Sequence, residues 1–537
     1  GGAWSWADVD SLEIGTIAST LGASDYIQTS EFWIVVDYTA IPTITLSGGC
    51  FTNAGEGTPC ADGGAGDMIK VAVNGTTDAG SDGTVDGGWT FTINKPASGA
   101  ILVFYRDGAP TAAEKATTVV KYDGDGGNVT LVKMYQSMLV IGADATSDNS
   151  DQTIINSDLD TTGNGFEYSD DTDSIYGVDT GVLTVDQGAG LTETLYVISG
   201  DTYQPDSGGG DTVTTHHLYF EGTLTTDNNT VNVAGDWTNA GTFTATTGTV
   251  TFNGTAATQT IISNAVSFYL VTINNSSGSN PNIYYTGALT IGNNTTLSSA
   301  TRIESTNNTG ITFSGTINGA NILTINSGSG AVTFGGIIGG GAPISALTVS
   351  GSGAIAINTT GITTGDVAGN NVALTGAVTL GGNLTIDTNN TTNDGTIGFS
   401  STINNAQTLT LDNGTGAVTF GGIIGGGAPI SALTVSGSGA IAINTTGITV
   451  ADVASNNVSF TGAVTLGGNL TITTDNTTND GTITFSSTVN GSQNLILNAG
   501  SAQVTFNGNV GASQTINVLT KQGLGDLREV LWNPTVA

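Results

Sequence analysis

The dominant pattern along this chain is a short triplet, apolar–Thr–apolar, repeated with small polar residues between copies. It stands at Val332-Thr333-Phe334, Leu347-Thr348-Val349, Val378-Thr379-Leu380, Leu384-Thr385-Ile386 and Leu409-Thr410-Leu411. Alternation of period two sends the outer pair of each triplet to a core and the Thr to solvent. Each triplet therefore predicts a short strand, and the Gly, Asn and Thr spacers are too brief for helical crossovers. Strands that cannot bury a face alone must stack on their successors, so the pattern predicts an all-β parallel β-helix, or β-solenoid.

A longer period overlies the triplets. The run GAVTFGGIIGGGAPISALTVSGSGAIAINTTGIT begins at Gly330 and again at Gly416, a spacing of 416 − 330 = 86 residues. Worn copies flank the pair: TFSGTING from Thr312 answers GFSSTINN from Gly398, and VTFNGNVG from Val504 answers VTFGGIIG from Val418. Four coils of roughly 21 residues would fill such a unit. The stretch 217–513 then holds some 14 coils, a rod of roughly 70 Å at ~4.8 Å per coil.

Elsewhere the pattern differs. Residues 31–143 hold longer runs such as DMIKVAVNG, GWTFTINK and GAILVFY between Gly-Asp turns, predicting a sandwich-like domain or a cap. Residues 144–216 read as an acidic, loop-rich segment, and 1–30 as an N-terminal arm. In the C-terminal segment 514–537, Leu524, Leu527 and Leu531 recur at helical spacing, with Asp526 and Glu529 placed as a capping box. That predicts a short apolar helix covering the last coil. An open strand edge invites a second chain, so Trp4 and Trp6 of the arm, with Leu524, Leu527, Leu531 and Trp532, are candidate self-assembly contacts.

Composition narrows the partners. Forty-four Asp and Glu against nine Lys and Arg give a net charge of −35, which excludes nucleic acid and anionic membranes as partners. Thirty-one of the acids precede His217, whereas no Lys or Arg lies between Arg302 and Lys521. No apolar run approaches 18 residues, so no transmembrane segment is expected. Cys50 and Cys60, the only cysteines, flank CFTNAGEGTPC and predict a disulfide, hence an extracellular or cell-surface setting; two free thiols are the alternative.

The segments GTVTFNGTAATQTI, FYLVTINNSSG and GAVTLGGNLTI resemble repeats of large prokaryotic surface β-helix proteins, of the adhesin and autotransporter-passenger type. The resemblance spans about 217–513 and implies a solenoid displayed at a cell surface.

Candidate chemistry is sparse. Asp158 and Asp160 in DLDTTGNG, with Asp170, Asp171 and Asp173 in YSDDTDSIYG, resemble the start of a calcium loop. Thr162 and Ser169 replace two EF-hand ligands, which leaves a non-EF calcium site or a solvated loop. His216 and His217, the only histidines, should point to opposite faces of a strand and form no common site. The repeated acids Asp366 and Asp452, or Asp394 and Asp480, would stand four coils and roughly 19 Å apart, beyond the ~5–9.5 Å of glycoside hydrolysis. No enzyme is expected. Outward Thr ranks resemble those of ice-binding solenoids, though Thr also simply suits exposed strands. The sequence thus predicts an extracellular structural protein, a filament or sheath subunit polymerising end to end. The alternative is a monomeric adhesin stalk binding surface glycans; a polysaccharide-active β-helix enzyme or an ice-binding protein ranks below both.

Overall fold

The computed structural model describes residues 41–523 and 527–529, apart from short stretches at 83–87, 144–151, 187–192 and 279–281 and positions 65, 125, 164 and 207. The architecture that follows is that of residues 43–537, which form a unit apart from residues 1–42.

That unit is all-β, with parallel strands stacked into a β-solenoid of about 16 turns. Each coil passes through three walls. Wall one rises from Met138–Ile141 through Thr194–Val197, His217–Phe220 and Trp237–Asn239. Wall two holds Thr202–Tyr203, Thr223–Thr225 and Thr242–Thr244, and a fresh sheet takes it over at Ala265–Phe268. Wall three contains Val182–Val185, Thr212–Thr215 and Thr230–Val233. Leu, Ile, Val and Phe point inward along all three and form one continuous core. Val332 and Phe334 are buried with Thr333 turned outward, as the triplet predicts.

The coil is longer than expected. Leu323, Leu347, Val372, Ile397, Val418, Ile441, Val464, Val489 and Val510 stack directly on one another up wall one. Eight rungs over 510 − 323 = 187 residues give about 23 residues per coil, not 21. The 86-residue unit therefore spans about three and two-thirds coils rather than four. Equivalent strands land on different walls: Ile322–Asn326 on wall one, Thr408–Asp412 on wall three, Asn494–Asn498 on wall two. The physical reason lies in the corners, which need loops such as GGIIGGGAP and NTTND that a 21-residue coil cannot hold.

The N-terminal region is both sandwich and cap. Thr43–Phe51 pairs with Gly88–Asn94 and Val129–Tyr135, opposite a sheet containing Met68–Val73, Ile101–Asp107 and Thr117–Lys121. Ile101–Asp107 is buried on both faces, which is why it reads as a continuous apolar run rather than an alternating one. Leu102 and Phe104 join Trp89 and Val71 in the sandwich core. Ile101, Val103 and Tyr105 enter the solenoid core instead, with Tyr105 and Phe166 ring centroids 4.7 Å apart. Thr117–Lys121 then pairs in parallel with Met138–Ile141, so the cap sheet continues into wall one.

Two expectations are corrected. The acidic stretch 144–216 is not separate from the solenoid, because Thr194–Val197, Thr202–Tyr203 and Thr212–Thr215 are rungs of its first coils. Leu195, Val197, Tyr203 and Val213 still alternate inward there. Further on, Leu527–Glu529 is a strand paired in parallel with Val504–Phe506, not a helical turn. An edge offering unpaired N–H and C=O groups outweighs a leucine spacing of one helical turn.

Candidate functional site

The predicted disulfide joins Cys50 to Cys60, and both residues are buried. The loop it closes is tied down against the adjacent strand, Val129–Tyr135. Glu56 accepts a hydrogen bond from the Tyr135 hydroxyl (2.8 Å) and pairs with Lys133 (2.7 Å), whose Nζ lies 5.3 Å above the Phe51 ring. Behind the loop an aromatic row runs through Tyr135, Tyr196 and Tyr219, with centroids 5.6 and 4.7 Å apart. Glu221 accepts from both the Tyr196 and Tyr219 hydroxyls. Burial first, then Glu221, pushes the Tyr219 phenol up to about 12. Sequence reading missed this row, although Tyr196 and Tyr219 hold alternate positions of LYVI and LYF.

The five predicted calcium aspartates do not converge. Asp158 is paired with Lys121 at 2.8 Å, Asp160 accepts from the Thr162 N–H at 2.7 Å, and Asp170 from the Thr161 hydroxyl at 2.7 Å. Asp171 and Asp173 gather instead with Asp107, one carboxylate oxygen of each lying within 4.8 Å of the others. Lys70 at 2.6 Å from Asp107 and Lys115 at 3.4 Å from Asp173 already offset much of that charge. Trp4, Trp6, Leu524, Leu531 and Trp532 lie outside the described residues, and of the assembly candidates only the backbone of Leu527 is placed.

The aspartates of the repeats are corner locks. Asp366 accepts from the Asn393 N–H (2.7 Å), and Asp394 from those of Asn390 and Thr415 (2.7 Å each). In the next unit Asp452 accepts from Asn479 (2.8 Å) and Asp480 from Asn476 (3.0 Å) and Ser501 (2.7 Å). Hydrogen bonds hold all four below the usual carboxylate range. The Asn393 N–H leads for Asp366 and the Asn390 N–H for Asp394. At Asp452 desolvation is the largest influence and acts upward, but the Asn479 and Thr478 hydrogen bonds together outweigh it. The Ser501 hydroxyl leads at Asp480, bringing it to about 2. Asp387 differs: it faces Asp412 on the adjacent rung, and burial first, then that neighbour, raises it.

The histidines form the site that the sequence did not indicate. His216 lies at the bend before His217–Phe220, so strand alternation does not separate the two rings. Their centroids are 4.3 Å apart, edge to face, on an open cavity of about 520 Å³ that also touches Asp236, Asn253 and Ala256. His217 Nδ1 accepts the Asp236 N–H at 2.9 Å, which leaves the ring proton on Nε2. Burial, then His216, holds His217 below the usual imidazole range, with Asp236 opposing. Asp236 Oδ1 accepts the Thr260 N–H at 2.7 Å. Gly235 leaves the rings room: a Cβ there would stand 2.6 Å from His217 Nδ1.

Compared with known proteins, the chain matches no family model, no curated protein and no solved structure. The β-helix part of the surface-protein resemblance stands on the coil geometry itself.

Proposed function

We propose that this chain is an extracellular structural rod that assembles end to end with copies of itself. The supporting observation is the contrast between the two ends of its core. At the N-terminal end the core is closed by Ile101–Asp107, buried on both faces. At the last described rungs, Ile516 and Leu519 are only partly covered and Val518 is 49% exposed on Val518–Gln522. Apolar surface left partly covered at the end of a rod is where a second copy can bury it. The disulfide is compatible with an oxidising setting, and among the described residues no helix is long and apolar enough to cross a membrane.

Electron microscopy of the purified full chain across a concentration series tests this reading. Filaments with an axial repeat of one rod are expected. Isolated rods at every concentration would overturn it and leave the second reading, a monomeric stalk binding surface glycans, which the open cavity at His216 and His217 favours.

A further inference from the structure

We propose that the cavity at His216 and His217 is a binding site for a neutral sugar. The proposal holds for a polymer subunit and a single rod alike, so its failure would leave the assembly reading untouched.

The cavity is built rather than incidental. Its two lips come from different coils, the Ala234–Asp236 turn and the loop after Asn253, and a buried amide fastens them together. Gln259, 1% exposed, donates through Nε2 to the carbonyls of Val233 (2.7 Å) and Gly235 (2.8 Å). Its Oε1 accepts from the Gly254 N–H (2.9 Å) and from Asn275 Nδ2 (3.0 Å). Asn275 in turn donates to the Ala257 carbonyl at 3.1 Å. A buried network with its members satisfied fixes geometry, and here it fixes both sides of the opening.

The chemistry of the lining selects the ligand. Asn253, Thr255 and Thr258 add polar side chains to the lining. His217 Nε2–H is a donor, and Asp236 Oδ2, 3.9 Å from His217 Nδ1, is an acceptor. Ala234, Ala256 and Ala257 add small apolar surface to the lining. A purely apolar ligand would leave the His217 Nε2–H and the Asp236 carboxylate without partners. An anion would meet Asp236, no Lys or Arg in the lining, and a chain of net charge −35. A metal ion is disfavoured because the His217 Nδ1 lone pair and Asp236 Oδ1 are both engaged by backbone N–H groups. Hydroxyl groups both donate and accept, and a sugar ring offers C–H faces to the alanines. The volume of about 520 Å³ falls within the range of small-molecule sites.

The two histidines are the only ones in the chain, so each imidazole can be observed by itself. The test is NMR of the full chain labelled at histidine, titrated separately with glucose, galactose, N-acetylglucosamine, cellobiose and zinc chloride. At least one sugar should shift the His217 ring signals saturably, with Kd on the order of 1 mM. Asp236→Ala should weaken that binding about tenfold, equivalent to roughly 1.4 kcal/mol. If that variant misfolds by circular dichroism, Thr255→Val, which removes an exposed hydroxyl from the cavity lining, supplies a second comparison. Three outcomes overturn the proposal: no sugar moves either imidazole, only zinc does, or sugar binding survives both substitutions unchanged.

Discussion

At the residue scale, buried charge and corner carboxylates carry most of what can be tested. Arg106 is fully buried; Nε and Nη2 grip Asp67 at 2.8 and 2.6 Å, and Nη2 also donates to the Ala61 carbonyl at 2.7 Å. Removing Asp67 would leave the buried guanidinium only the more distant Glu114 carboxylate, at 3.6 Å. Asp67→Ala is therefore expected to lose up to about 3–5 kcal/mol in denaturant melts, the cost of breaking a buried ion pair. The corner aspartates act through pH instead. Their folded pKa values lie below those of the unfolded chain, so their stabilisation is present above about pH 4 and fades as pH falls towards 2. Asp480→Ala should lower the melting temperature at pH 6 and flatten its decline between about pH 4 and 2; an unchanged decline would show that Asp480 contributes nothing to it. The Asp residues were visible in the repeat, but their role was not, because each acceptor finds its donors one corner or one coil away. The histidines were hidden for a related reason: the bend at His216 breaks the alternation that argued against a shared site.

At the element scale, strands were legible and corners were not. A buried–exposed–buried triplet predicts its own strand because side-chain direction follows from backbone period alone. Corners are set by contacts between successive coils. Gly416, Gly439 and Gly462 show this, for they stack so closely that a Cβ on Gly439 would lie 1.8 Å from the Gly416 carbonyl oxygen. On Gly462 it would lie 1.9 Å from that of Gly439. Gly439→Ala should thus cost about 1–3 kcal/mol, as overpacking does. Gly398 is the control, a strand glycine with nothing within 4 Å of its missing Cβ. Gly398→Ala should be neutral or stabilise by up to about 1 kcal/mol. Equal losses at the two sites in parallel thermal melts would mean that corner contact is not what selects glycine. The same limit explains Leu527–Glu529: leucine spacing announced a helix, but the available partner was the next rung.

At the scale of the whole molecule, the mismatch between repeat and coil organises the rod. The phenylalanine pair Phe313–Phe334 stacks inside wall two, its equivalent Phe399–Phe420 inside wall one, and Phe485–Phe506 inside wall three, at 5.8, 5.9 and 5.0 Å. Exposed features rotate likewise, since Ile337 and Ile423 are equivalent residues 41% and 40% exposed at corners of different walls. A whole-number repeat would have lined such residues into one apolar stripe along the rod, the kind of patch that drives lateral association. Displacement by one wall per unit disperses them and leaves the ends as the more distinctive surfaces. The arrangement also requires that each repeated strand fit any wall, which permits a strict test. Deleting residues 330–415 removes one complete unit and joins Ser329 to Gly416, so every strand beyond the junction must shift by one wall. Because the copies are almost identical in sequence, each would meet the neighbours its counterpart now has. The shortened chain should fold with a single cooperative melt and a rod roughly 18 Å shorter by small-angle scattering, three and two-thirds rungs at ~4.8 Å. A deletion of half the unit has no such equivalence and should expose apolar surface, seen as dye binding and aggregation. If the full-unit deletion also failed to fold, wall identity would be fixed by sequence differences outside the repeat, and the rotation would be incidental.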